Sequence, residues 1–300
     1  MTNTEADVVV LGVGTCGEDL SLQLLDAGLN VVGVEASLVG GECAYWACIP
    51  SKVMIRASSL IASARQVDGV AGHAEISPDW APVAARVHDE VTGGWDDSMG
   101  VGRFEQRGGR LIHGLGRFTA PNAVTVGDET IAARRGIVIA TGSKPAIPPI
   151  PGLAEVEYWT THDIISAETL PSSLTILGGG AVGCELAQLL STFGVKVTVV
   201  EGRDRLLPGE EPEASALVAE AFTAEGISVH VGVMAESVTG AAGTITVKLS
   251  DGAEVASERL LVATGRTVDT SELGLEAAGI DSSSRFIDVD DRLRAAEGIW

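Results

Sequence analysis

Two stretches of the chain repeat one order of apolar and polar positions. Each opens on a short apolar run, Val8-Val9-Val10-Leu11 in the first and the run closing at Leu177 in the second. A glycine-rich turn follows, then apolar positions at helical spacing, then a second apolar run that ends on an acidic residue. A four-residue apolar run before a glycine predicts a buried strand, and the 3.6-residue spacing after it predicts an amphipathic helix. Each copy therefore reads as strand, turn, helix, strand. Beyond the first copy, residues 51–67 and 79–91 carry helical patterns. Residues 124–131 and 244–255 read as hairpin strands inserted in the two modules.

The two copies superpose without a gap at a constant offset of 166 residues. Gly12, Gly14 and Gly17 fall on Gly178, Gly180 and Gly183, Gly28 falls on Gly194, and Glu35 falls on Glu201. One G-x-G-x-x-G is a weak signal, but here the preceding strand, the following helix and the distant carboxylate are all present, twice. The chemistry needs these residue types at this spacing. The first glycine makes a tight turn, the second lets backbone N–H groups approach a pyrophosphate, and the third lets helix and strand pack closely. The helix N-terminus then faces the phosphates, and the glutamate accepts from ribose hydroxyls. Each module also closes on a similar strand end, Val138-Ile-Ala-Thr-Gly142 and Leu261-Val-Ala-Thr-Gly265. The proline-rich run from Lys144 to Gly152 is a stiff connector. The expected architecture is α/β, with two Rossmann-like dinucleotide-binding domains at 1–150 and 151–268. A segment at 269–300 starts the return to the first domain.

Composition narrows the function classes. Apolar residues make up 45% of the 300, enough for two cores, and charged residues, at 20%, are too few for disorder. A net charge of −21 opposes nucleic acid and anionic membranes as partners. No run is long enough to span a bilayer, and no basic leader precedes Val8. Four cysteines are too few for a disulfide scaffold in a chain this long, which suggests a reducing, cytoplasmic address. There a cysteine pair is more often catalytic or metal-binding than structural.

Such a pair stands in Gly40-Gly41-Glu42-Cys43-Ala-Tyr-Trp-Ala-Cys48-Ile-Pro50-Ser51-Lys52. Five residues along one undistorted helix rise about 7.5 Å, beyond the Cα separation of about 7 Å that a disulfide tolerates. The Gly40-Gly41 turn is therefore expected to set Cys43 at the start of a distorted helical turn, with Cys48 further in. A thiol at a helix N-terminus is favoured as thiolate and becomes a redox nucleophile. Zinc is the weaker alternative, for want of further ligands at suitable spacing, and a chance pair of buried cysteines is another. Cys16 and Cys184, alone in the two glycine turns, read as small packing residues.

Taken together, the two nucleotide motifs, the two Ala-Thr-Gly strand ends and residues 40–52 resemble the pyridine nucleotide-disulfide oxidoreductases, the group of dihydrolipoamide dehydrogenase, glutathione reductase and mercuric reductase. Gly40 to Lys52 match the family pattern G-G-x-C-x-x-x-x-C-x-P-S-K throughout, and the resemblance covers the whole chain. It implies an FAD-dependent enzyme passing electrons between a nicotinamide nucleotide, FAD and the Cys43–Cys48 disulfide. FAD would lie on Gly12, Gly14, Gly17, Glu35 and Gly41, enclosed by Gly114 and Thr141-Gly142-Ser143. Cys48 would face the flavin and Cys43 would exchange with substrate. Lys52, paired with Glu185, would stabilise charge on the reduced flavin. The nicotinamide nucleotide would lie on Gly178, Gly180, Gly183, Glu201, Val233 and Gly265. Glu201 favours NAD, with NADP the alternative that Arg203 and Arg205 raise.

The resemblance also implies a small-molecule or protein disulfide or dithiol as substrate, and a homodimer for a full-length form only. Two departures from the family stand out. The residues between the cysteines, Ala44-Tyr45-Trp46-Ala47, are unusually aromatic, and Thr267-Val268-Asp269 replaces the family's usual loop. The family continues past the position of Trp300 into an Ala-x-Gly-Asp element and a dimerisation domain bearing a His-Glu pair. None of His73, His88, His113, His162 or His230 has that context, so the chain reads as C-terminally truncated. The competing class is a flavin diaphorase or quinone reductase, or an inactive nucleotide-binding fragment.

Overall fold

The computed structural model describes residues 2–284 and 286–300. In chain order its first half runs β1 (Thr2–Leu11), α1 (Thr15–Asp26), β2 (Val31–Glu35), α2 (Gly41–Tyr45), α3 (Cys48–Arg65), α4 (Ala81–Arg86), α5 (Ser98–Gln106), β3 (Arg110–His113), β4 (Arg117–Ala120), β5 (Ala123–Val126) and β6 (Glu129–Ile139). The second half runs β7 (Lys144–Pro145), α6 (Thr161–Ile165), β8 (Ser173–Leu177), α7 (Ala181–Thr192), β9 (Lys196–Glu201), α8 (Pro212–Ala224), β10 (Ser228–Val231), β11 (Ala235–Ala241), β12 (Thr244–Leu249), β13 (Glu254–Ser257), β14 (Arg259–Val262) and β15 (Arg266–Thr267). Two compact units result. Met1–Cys48, Thr92–Lys144 and Thr267–Trp300 make the first; Ile49–Val91 and Pro145–Arg266 make the second.

The first unit is built on a six-stranded sheet of order β3-β2-β1-β6-β5-β4. β3, β2, β1 and β6 are parallel, whereas β4 and β5 meander back antiparallel. All five residues of β2 are buried, as expected of a parallel strand covered on both faces. Alternate side chains feed two cores. Val9, Leu11, Val32, Val34, Phe118 and Ile131 pack on one face, and Val8, Val10, Val31, Leu25 and Phe104 on the other. The end of the chain joins this sheet: the Ile137 amide donates to Gly298 O at 2.9 Å, and the Trp300 amide donates to Ile137 O at 3.0 Å.

In the second unit the parallel sheet has the order β10-β9-β8-β14, beside an antiparallel β11-β12-β13 ladder. Strand for strand this repeats β3-β2-β1-β6, so the sequence repeat is a repeat of topology as well. Leu177, Val200, Leu260 and Val262 meet Val238, Val247 and Leu249 in its core.

The helix expected over 51–67 is α3, which begins at Cys48. The pattern over 79–91 is not one regular helix: α4 gives way to a π-helical turn at Val87–Val91. Trp80, just before α4, is anchored by two contacts. Its Nε1 donates to Ala167 O at 2.8 Å, and its ring meets Phe193 edge-on at 5.2 Å.

Candidate active site

The two glycine turns match almost atom for atom. Gly12 has φ +90° and Gly178 φ +112°, where an L side chain is strained. A Cβ at Gly12 would also collide with Ala140 O, and one at Gly178 with Ala263 O. A Cβ at Gly17 or Gly183 would strike the carbonyl of Gly12 or Gly178, so the third glycine of each motif lets the helix lie on its own turn.

The middle glycines behave differently. Gly14 and Gly180 are the N-caps of α1 and α7, with φ, ψ of −72°, −172° and −76°, −175°, and neither helix has a side-chain cap. A Cβ on Gly180 would meet nothing within 4 Å, and one on Gly14 only Gly41 Cα at 3.7 Å. Uncapped helix N–H groups opening onto free space are what a pyrophosphate requires, so both turns fit a dinucleotide.

The two carboxylates are fixed in the same way. Glu35, buried at the end of β2, accepts from the Val13 amide at 2.6 Å and the Ser37 amide at 2.8 Å. Glu201, at the end of β9, accepts from the Gly179 amide at 2.6 Å and the Arg203 amide at 2.8 Å. Each carboxylate oxygen keeps a second lone pair for a ribose hydroxyl.

The surrounding expected residues border these turns. Thr141 Cα lies against Gly12, and the Gly114 amide donates to Glu35 O at 2.8 Å. Gly142 adopts φ +69°, with Ser143 half-buried after it. In the second unit the Val233 amide donates to Glu201 O at 3.3 Å, and Gly265, at φ +122°, accepts from the Ala146 amide at 2.9 Å.

The cysteine segment is docked on the first turn. The Gly40 amide donates to Val13 O at 2.8 Å, and a Cβ at Gly41 would press on Gly14 Cα at 2.7 Å. Gly40 and Gly41 have φ +109° and +60°. Cys43 lies in the five-residue α2, the chain breaks at Trp46 and Ala47, and Cys48 is the first residue of the 18-residue α3. The Gly40-Gly41 turn thus sets Cys43 in a short helical turn, as expected, whereas Cys48 lies not further into that turn but at the start of the next helix. The reason is that Trp46 leaves helical geometry, at φ −129° and ψ 0°, which restarts the helix two residues on. Pro50 is tolerated in the first turn, where no intrahelical N–H is needed. Both cysteines are half-buried.

Lys52 lies one turn beyond Cys48 and is exposed, as is Glu185 on α7. Among the described residues no ion pair joins Lys52 to Glu185, contrary to the expected pairing. Two exposed charges gain little from pairing against the side-chain entropy it costs.

The other two cysteines differ from one another. Cys184 is buried, its thiol donating to Gly179 O at 3.3 Å, and burial pushes its pKa up to about 11. Cys16 is exposed on the first turn of α1, which corrects its reading as a packing residue: position 16 points away from the buried stripe of Gly17, Ser21 and Leu25. Arg205, raised above as a contact for NADP, is bound within its own loop. Its guanidinium donates to the carbonyls of Pro208 and Glu210, both at 3.1 Å, and clasps the 205–210 loop, while Arg203 is exposed.

One group was not legible in the sequence. The Trp46 ring, between the two cysteines, stacks on Trp95 with centroids 5.4 Å apart and planes at 24°. The neighbouring Tyr45 hydroxyl donates to Asp96 O at 3.2 Å. Gly93-Gly94 foretells a turn, but nothing in the pattern says which ring it meets. Among the described residues no group of His, Cys, Asp and Glu could hold a metal ion, and no helix is long and apolar enough to cross a membrane.

Comparison with known proteins agrees with this geometry. A family model described as pyridine nucleotide-disulphide oxidoreductase matches residues 6–300. A mercuric reductase of Bacillus cereus is 33% identical over 97% of this chain and 47% of its own length. A dihydrolipoyl dehydrogenase of Bacillus subtilis is 33% identical over 98% of this chain and 65% of its own. Among solved structures, the HOCl-induced flavoprotein disulfide reductase RclA from Escherichia coli superposes with a TM-score of 0.86 at 27% identity, covering 98% of this chain and 65% of that one. The chain thus spans about half to two-thirds of the length of these relatives.

Proposed function

Because the chain belongs to the pyridine nucleotide-disulphide oxidoreductase family, we propose that it carries the electron path of an FAD-dependent NAD(P)H:disulfide oxidoreductase. The observation that carries this reading is the docking of the Gly40-Gly41 turn, which leads into the cysteine pair, on the first of two matching nucleotide turns.

In this reading residues 1–150, with the return segment 269–300, hold FAD. Gly12, Gly14, Gly17 and Gly41 supply backbone and space at the pyrophosphate, Glu35 accepts from the ribose, and Gly114, Thr141, Gly142 and Ser143 border the rest. Residues 151–268 hold the nicotinamide nucleotide through Gly178, Gly180, Gly183, Glu201, Val233 and Gly265. The fixed Glu201 carboxylate would repel a 2′-phosphate, and Arg205 is spent on its own loop, which supports NAD over NADP. Bound FAD would supply the two-electron relay between the nicotinamide and the cysteine pair. Lys52 and Glu185 are assigned to the flavin end of that relay, with Lys52 one turn from Cys48.

The Cys43 thiolate attacks the substrate disulfide, forming a mixed disulfide and expelling one thiol. The Cys48 thiolate then attacks the Cys43 sulfur, releasing the second thiol and leaving the Cys43–Cys48 disulfide. Two electrons pass to the substrate, and the two protons end on its thiols. The substrate is a disulfide or dithiol, small or protein-borne, and the complete protein works as a homodimer in the reducing cytoplasm.

An absorption spectrum of the purified chain with FAD, before and after anaerobic NADH, tests this. A bound-flavin spectrum bleached by NADH, with a long-wavelength band that Cys48→Ser abolishes, is expected. Flavin that stays free, or a spectrum that Cys48→Ser leaves unchanged, overturns the assignment.

A further inference from the structure

Trp95 is one of only four non-glycine residues with positive φ among the described residues, and it closes a run of three: Gly93 at +58°, Gly94 at +71° and Trp95 at +59°. A large aromatic residue rarely adopts this conformation, and strain of that kind persists only where its surroundings hold it in place. Two contacts do so here. The Trp95 ring stacks on Trp46, and the carbonyl of Asp96, the next residue, accepts from the Tyr45 hydroxyl. The Asp96 amide closes the turn onto Thr92 O at 3.2 Å. Adjacent residues on one side, Tyr45 and Trp46, thus grip adjacent residues on the other, Trp95 and Asp96.

The gripped position is the break between α2 and α3. Trp46 stands three residues after Cys43 and two before Cys48, at the point where the backbone leaves one helix to start the next. A continuous helix would hold the two cysteines too far apart to bridge, so the geometry of this break decides how closely their sulfurs are presented. We infer that Trp46 is a positioning residue for the dithiol: stacked on Trp95, it fixes the α2–α3 break and pre-organises Cys43 and Cys48 for ring closure. The inference rests on the reading of Cys43 and Cys48 as the redox pair. Loosening the clamp lowers their effective concentration toward one another, and with it the equilibrium constant for forming the intramolecular disulfide.

The test equilibrates the full chain with glutathione and glutathione disulfide at several ratios. The exchange balances as two protein thiols plus one glutathione disulfide giving one Cys43–Cys48 disulfide plus two glutathione molecules. Differential alkylation and mass spectrometry of the peptide bearing both cysteines read the oxidised fraction, alongside urea unfolding of each variant. Trp46→Leu and Trp95→Gly are expected to lower the constant about tenfold, with Trp46→Phe within about twofold of the parent. Glycine accepts φ +59°, so Trp95→Gly removes the ring while keeping the turn, and it serves should Trp46→Leu fail to fold. Constants equal to the parent's in both ring-deleting variants, even with lowered stability, overturn the inference and leave the redox pair standing. A parent chain that forms no Cys43–Cys48 disulfide at any ratio overturns both.

Discussion

The Ser58 hydroxyl donates to Thr192 Oγ1 across 2.9 Å, with both residues buried. This contact ties α3, the helix that starts at Cys48, to the end of α7, the helix that starts at the second glycine turn. The Thr192 hydroxyl in turn donates to Gln188 O at 2.9 Å, and Arg65 donates to Thr192 O at 3.3 Å.

The two ends of that hydrogen bond are not equivalent. Ser58→Ala removes a donor and should cost about 1 kcal/mol, whereas Thr192→Val strands the buried Ser58 hydroxyl and should cost about 2 kcal/mol. Urea unfolding of the two variants against the parent gives both values. Equal costs would mean that the hydroxyl finds another acceptor.

Gly180 and Gly183, three residues apart, should respond in opposite ways to alanine. Gly183→Ala forces a methyl group into the Gly178 carbonyl and should destabilise the chain by about 1–3 kcal/mol. At Gly180 the methyl group enters open space, so Gly180→Ala should stay within about 1 kcal/mol of the parent. Under the proposed function its loss lies in NADH affinity, measured by fluorescence titration, because the methyl group fills the room kept for phosphate.

The two unpaired glycine-turn cysteines give a labelling test. Exposed Cys16 should take up iodoacetamide in the native chain at pH 8, and Cys184 only after unfolding, as peptide mass spectrometry would show. The linkage follows from the raised Cys184 pKa. Its contribution to stability is complete below the unfolded thiol's ordinary value and is lost as pH rises from there through about 11. Cys184→Ala should flatten that alkaline decline.

Lys144 donates to Asp269 at 2.6 Å, and with the Ser271 hydroxyl and amide it holds the Asp269 carboxyl well below the usual carboxylate range. A depressed carboxyl stabilises the fold above its unfolded pKa, and that contribution disappears as pH falls through the folded value. Asp7, Asp96, Glu129, Glu258 and Asp290 shift the same way, so stability should decline in acid, below the ordinary carboxylate range, rather than near neutrality. Following the Asp269 carboxyl carbon by NMR, Lys144→Met should move its titration up toward the ordinary value, with Ser271 keeping part of the depression.

What could be read from the sequence was local in sequence or repeated. The glycines of the two turns were legible because one backbone requirement fixes each of them, and Glu35 and Glu201 because a strand of known length ends on them. Cys43 and Cys48 were legible as a pair, but not the break between their helices. That break depends on Trp46 meeting a ring 49 residues further along the chain, and side-chain periodicity says nothing about such a partner. Arg205 escaped for a similar reason, since a guanidinium turned onto the carbonyls of its own loop looks, in sequence, like any solvated arginine. Lys52 and Glu185 show the opposite case: the motif names both, yet both are exposed and no ion pair among the described residues joins them.

The duplicated turns have a consequence for selectivity. With matching glycine conformations, uncapped helices and carboxylates anchored at equal distances, under the proposed function they would offer similar sockets to the adenylate end of a dinucleotide. Free ADP should compete at both without much preference. Telling a flavin from a nicotinamide must then fall to residues beyond the sockets, so exchanging specificity between the two halves calls for grafting those borders and leaving the glycines untouched.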